Sequence, residues 1–162
     1  MHAAIEDSCR IIERTLGDSP AYQKVDERLY VVRQGSAYVM VSVVPWGEDR
    51  AVVHCVAQLV AGATLTGEVA MKLLALNARL RFGAFGYVRD GGRITLSHAL
   101  LGGAMLEPSS LLATVRDLAV LANEFDDQLV AAAGGRRMQD LLEDEALHRI
   151  QAELERKGSP LN

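Results

Sequence analysis

The sequence predicts an α+β domain: an antiparallel sheet of about five strands, with helices packed on one face, in the order α-β-β-β-α-β-β-α, plus an extra C-terminal helix. Three observations predict it. Three apolar, alternating stretches follow one another between short turns at Gly35-Ser36 and Gly47-Glu48, so neighbouring strands should pair as hairpins. A helical run feeds a second hairpin marked by Asp90-Gly91-Gly92. Two further stretches, after Pro108 and after Gly135, repeat apolar residues at helical spacing.

In chain order, Ile5, Cys9, Ile12 and Leu16 line one side of a first helix over residues 3–16, stopped by Gly17. Strands are expected over about 22–34, 37–45 and 50–60. Thr64 or Thr66 is placed to cap the central helix, whose stripe is Val69, Leu73, Leu76 and Leu80. Phe82, Phe85, Tyr87 and Val88 suit an extended chain. Ile94, Leu96 and Leu100 alternate with Thr95, Ser97 and Ala99 as a half-buried strand. Pro108 opens a long helix with the stripe Leu111, Val115, Leu118, Ala122, Phe125 and Leu129, and Gly134-Gly135 ends it. The last helix is expected from Arg136 to Lys157. Met138, Leu141, Leu142, Ile150 and Leu154 form its narrow apolar side, with Glu145–Arg149 and Glu153–Lys157 pairs four apart. Residues 1–135 therefore read as the domain, and 136–162 as a helical extension with a tail from Gly158.

Composition narrows the function. With 49% apolar and 23% charged residues, the 162-residue chain can build a core of ordinary size. A net charge of −4 and the absence of any basic run longer than Arg136-Arg137 argue against a nucleic-acid partner. No apolar run reaches the ~18 residues of a spanning helix, so no membrane partner is expected. The polar, acidic start MHAAIEDSCR does not resemble a signal peptide, and the protein is expected to be cytoplasmic. Cys9 and Cys55 form no CxxC pattern and read as reduced structural thiols.

No constellation for catalysis or for a cofactor is legible. His54 and Cys55 are adjacent on a strand and point to opposite faces, so they cannot share a metal there. His98 lies on the same side as Leu96 and Leu100, where a hydrogen-bonded, partly buried histidine is the ordinary finding. Glu124 and Asp127 share a side of the long helix while Asp126 points elsewhere, as on a solvated face. GxGxxG, GxxxxGK[ST] and GxSxG are all absent. A metal-dependent hydrolase using His54 or His98 therefore lacks its ligand set. No catalytic residue, metal ligand or cofactor is expected.

Strand alternation carries the functional hint. Ala37, Val39, Val41 and Val43, with Ala51, Val53, Cys55, Ala57 and Leu59, form a purely apolar set suited to lie under helices. The opposite face carries Tyr38, Met40, Ser42 and Val44, then Val52, His54, Val56 and Gln58, and Tyr30 and Val32 are expected to join them. A solvated face would be polar at every second position, and this one is mixed. It needs a cover, whether a partner protein, a second copy or the chain's own last helix. The expected partner-binding residues are Tyr30, Val32, Tyr38, Met40, Val44, Val52 and Val56 on the sheet and Met138 and Leu142 on the last helix. The alternative is a regulatory domain sensing a small ligand near the glycine-rich edge at Gly83 and Gly86.

The segments LLALNARLRFGAFGYVRDGGRITLSHALLGG and LEPSSLLATVRDLAVLANEFDDQLVAAAGG carry a family resemblance. Through Asn77, Gly83, Phe85, Asp90, Gly91, Leu96, His98 and Asp126, the stretch from Thr64 to Gly135 resembles the YbjN family, grouped with type III secretion chaperone-like domains. The resemblance implies the same bacterial-type fold without enzymatic activity. It also implies a chaperone-like role in which the domain holds another polypeptide, often as a homodimer. The helix from Arg136 onward departs from the common pattern.

Overall fold

Apolar runs punctuated by two-residue turns fold into one antiparallel sheet. The computed structural model describes residues 2–158. In order, its elements are α1 (Ala3–Leu16), β1 (Tyr22–Asp26), β2 (Leu29–Gln34), β3 (Ala37–Trp46), β4 (Arg50–Ala61), α2 (Gly67–Asn77), β5 (Ala84–Val88), β6 (Arg93–Leu101), a 3₁₀ turn (Gly103–Met105), α3 (Pro108–Ala133), β7 (Arg136–Arg137) and α4 (Met138–Gly158). The strand order is β1-β2-β3-β4-β6-β5, with β7 beside the end of β4. The α+β class and the extra C-terminal helix are as the sequence predicts.

The sheet holds seven strands among the described residues, more than the five expected. One comes from the stretch 22–34, which turns back on itself. The Asp26 carboxylate accepts the Glu27 N–H at 2.7 Å, a local bond that favours a turn, and β1 then pairs with β2. The other is Arg136–Arg137, expected at the start of the last helix. These residues pair instead with Val60 and Ala61 of β4. Gly134 and Gly135 both have positive φ, and a Cβ on Gly135 would lie 2.9 Å from the Ala63 nitrogen. Two glycines thus let the chain pass close to β4 before α4 begins.

α1 and α3 cover one face of the sheet. Val39, Val41, Val43, Val53, Cys55, Ala57, Ile94 and Leu96 are buried there against Leu111, Val115, Leu118, Ala122 and Leu129 of α3. Each such Val, Leu or Ile side chain contributes about 1.5–3 kcal/mol by leaving water. Tyr30 and Val32 belong to this face, and this corrects their expected place. The two-residue loop Gly35-Ser36 pairs Tyr30 with Val41 and Val32 with Val39, so both are buried in the core. The Tyr30 hydroxyl donates to the Glu13 carboxylate at 3.2 Å, and burial, reinforced by Cys9 and Glu13, raises its pKa. In their place, Val31 stands on the opposite face, beside Met40.

Polar groups fasten the helices. The Thr66 hydroxyl accepts the Val69 N–H at 3.3 Å and caps α2. Ser8 is fully buried in α1. It donates to the Ala4 carbonyl at 2.6 Å and accepts the Gly103 N–H at 2.7 Å, tying α1 to the 3₁₀ turn. At the sheet's edge, the Asn77 carboxamide accepts the Phe85 N–H at 2.6 Å and donates to the Phe85 carbonyl at 3.2 Å. Asn77 therefore replaces a neighbouring strand for the edge residue of β5. The tail from residue 159 falls outside the described residues, as does the Lys157 side chain and with it the Glu153–Lys157 pair.

Candidate functional site

The face turned away from α1 and α3 is read directly from the register. Three apolar or amphipathic rows cross it. Leu101, Val52 and Val44 form one; Ser97, Val56, Met40 and Val31 form the next; Gln58, Tyr38 and Arg33 lie along the upper margin. His54 stands between the first two rows, exposed, opposite Ser42 and Ala99. Val44 is 37% exposed and Leu101 51%, so this end of the face is uncovered.

α4 covers the other end. It starts beside β4 because β7 is stitched there, and two arginines fix its first turns. Arg137 donates to both Asp140 oxygens, at 3.0 and 2.8 Å, and also lies 3.2 Å from Asp127 of α3. Arg136 pairs with Asp144. The Arg137 hydrogen bonds hold the Asp140 carboxyl below its ordinary range. Burial pushes Asp126, on the adjacent turn of α3, the other way.

A groove of about 640 Å³ runs between α4 and the sheet. Val31, Tyr38 and Met40 form its floor, and Met138, Leu142 and Ala146 form its wall. Arg149 stands at its rim, paired with Glu145 at 2.6 Å as the four-residue spacing predicts. Beyond the groove α4 keeps an exposed apolar stripe: Leu147, Ile150 and Leu154 are 57%, 54% and 64% exposed.

The expected contact residues thus separate into three groups. Tyr38, Met40, Met138 and Leu142 come together around one groove. Val44, Val52 and Val56 continue its floor across the open face. Tyr30 and Val32 lie in the core on the other side. Sequence reasoning missed Val31 and Ala146. The parity of the Gly35-Ser36 loop is the signal that would have found Val31, since a two-residue hairpin fixes the register.

The other residues singled out by sequence have structural places. The His98 Nδ1 accepts the Gly83 N–H at 3.2 Å, and the Phe82 ring stands edge-on to it at 5.7 Å. A Cβ on Gly83 would lie 2.9 Å from Leu118, and one on Gly86 would lie 3.3 Å from the Thr95 hydroxyl. These glycines make room for protein atoms. Burial pushes the Cys55 thiol up to about 12. Among the described residues, no three His, Cys, Asp or Glu side chains come together as a metal-holding group. No helix among them is long and apolar enough to cross a membrane.

A search of curated proteins finds no match. Among solved structures, the fold is similar to a chain in "Crystal Structure of the ExsC-ExsE Complex", with a TM-score of 0.60 at 18% identity, covering 80% of this chain and 97% of that one. That likeness is one of fold. The sequence comparison goes further, because residues 7–141 match a family described as T3SS (YopN, CesT) and YbjN peptide-binding chaperone 1. With most of its length matched, from α1 into the first turn of α4, the chain belongs to this TY-Chap1 family of peptide-binding chaperones.

Proposed function

We propose that the protein is a non-enzymatic, chaperone-like domain that holds an apolar segment of another polypeptide in the groove between the sheet and α4. One observation carries this reading: Tyr38 and Met40 of the sheet face Met138 and Leu142 of α4 across an open, largely apolar cleft. An apolar surface left in this form gains free energy when a partner covers it, about 25 cal/mol per Å² of apolar area. The family's description as peptide-binding chaperones supports the role, and the similar fold comes from a two-protein complex. In this reading the protein works in the cytoplasm as a homodimer. The uncovered row of Leu101, Val52 and Val44 leaves a surface for a second copy. A light-scattering mass of twice 17.6 kDa is the expected result.

The test is capture of a partner segment by wild type and by Met40→Asp and Leu142→Asp. Both variants should lose capture, since a carboxylate would have to be buried beneath the segment's apolar side chains. Met71→Asp, on the exposed side of α2, should retain it. Unchanged capture in both groove variants would remove the groove from the reading.

A further inference from the structure

The sheet floor of the groove carries no carboxylate. On its α4 wall, Arg149 is already paired with Glu145 at 2.6 Å. A second recess shares Gln23, Val31 and Tyr38 with the groove and adds Arg33, again with no carboxylate. The pattern extends across the face, because β2, β3, β4 and β6 contain no Asp or Glu at any position. The whole chain has 21 acidic and 17 basic residues, so its excess acid lies off these strands. In α4, Asp140, Asp144 and Glu145 are each paired with an arginine.

Arg33 and Arg50, on this face, are held over aromatic rings. Arg33 lies 5.7 Å from the Tyr38 ring centre and donates through Nε to the Gly35 carbonyl at 3.3 Å. Among the described residues no carboxylate lies within ion-pair distance of it. Its other N–H groups remain able to donate. At the far end of β3, Arg50 lies 4.4 Å from the Trp46 ring centre, with only the exposed Asp49 nearby at 3.8 Å. An Arg–aromatic pair thus stands at each end of β3, with Met40 and Val44 between them.

The geometry points to an acidic amphipathic segment as the occupant. Its apolar residues fill the groove over Met40 and Leu142, and its carboxylates meet Arg33, the cation beside the groove that has no carboxylate partner among the described residues. This inference rests on the groove reading above and adds the chemical class of the partner. Carboxylates at such a rim steer encounter and select the partner, while the apolar anchor holds it. A segment with basic flanks meets like charge at Arg33.

The test uses two labelled peptides that share one Leu- and Met-bearing apolar segment, one flanked by Glu and the other by Lys. Binding is read by fluorescence anisotropy. Wild type should bind the Glu-flanked peptide about tenfold more tightly, the ratio given by ~1.4 kcal/mol of discrimination. The preference should shrink towards parity between about 0.05 and 0.5 M salt as rim charges are screened. Arg33→Glu should abolish or reverse the preference, and Arg33→Gln should reduce it. Thermal melts matching wild type would show that these variants are folded. Equal affinity for the two peptides, or a Glu preference untouched in Arg33→Glu, would overturn the acidic class. Should that binding still be lost in Met40→Asp, the groove itself would stand. Binding of neither peptide, or binding indifferent to Met40→Asp, would overturn both.

Discussion

Asn77 offers a sharp test of how the sheet's edge is closed. Its carboxamide bonds both the N–H and the carbonyl of Phe85, at 2.6 and 3.2 Å. Phe85 is 7% exposed and packs edge-on against Phe125 of α3, with ring centres 5.5 Å apart. Asn77→Ala removes both partners and leaves a backbone donor and acceptor unpaired in a confined place. Each such group costs about 1–3 kcal/mol, and water reaching the edge recovers part of that, so the expected loss is about 2–3 kcal/mol. For a chain of this size that lowers Tm by about 5–10 °C. Urea unfolding should show a lower midpoint with an unchanged slope, since the surface exposed on unfolding is the same. Asn77→Asp keeps the acceptor for the Phe85 N–H but sets a carboxylate against the Phe85 carbonyl, and should be no more stable than Asn77→Ala at neutral pH. A loss below about 0.5 kcal/mol for Asn77→Ala would refute the reasoning, because a hydrogen-bonded pair this enclosed could not then be holding β5.

Three further outcomes are expected. Ser8→Ala should cost about 1–3 kcal/mol in chemical denaturation, because the buried Gly103 N–H loses its acceptor. Asp126→Asn should stabilise the protein at neutral pH. The folded-state pKa of Asp126 is raised above its unfolded value by burial, so the native state binds the proton more tightly and stability falls as pH rises through that interval. The gain of Asp126→Asn should accordingly vanish below the unfolded carboxylate range near pH 4, as measured by melts across pH. The Cys55 thiol, buried and pushed up to about 12, should resist alkylation at pH 8 until denaturant is added, as read by peptide mass mapping.

Most of the fold was legible because its signals are local. Thr66, Pro108 and Gly134 mark helix ends at the positions the structure shows. The alternation in β3 and β4 separated a core face from a mixed one, and the pairing of Met40 with Val56 and of Val44 with Val52 follows it. Tyr30 and Val32 were misplaced for a definite reason. Alternation within a strand fixes which residues share a face, but only the loop length fixes which face that is, and Gly35-Ser36 sets it opposite to the expectation. The groove was legible only in halves. Tyr38 and Met40 stood out on the sheet, and Met138 and Leu142 stood out on the helix. Their meeting depends on two glycines with positive φ and on Arg136–Arg137 pairing with β4, a short non-local ladder that no periodicity announces. The lack of acid on β2, β3, β4 and β6 was hidden as well, since the net charge of −4 describes the chain and not this face.

Methionine placement allows a direct measurement of where a peptide sits. Met40 and Met138 line the groove on its two sides, whereas Met71 and Met105 are exposed elsewhere, at 67% and 69%. With methyl-labelled methionine, titration of the Glu-flanked peptide should shift or broaden the Met40 and Met138 signals and leave Met71 and Met105 in place. Shifts at Met71 or Met105 with Met40 and Met138 unmoved would contradict the account.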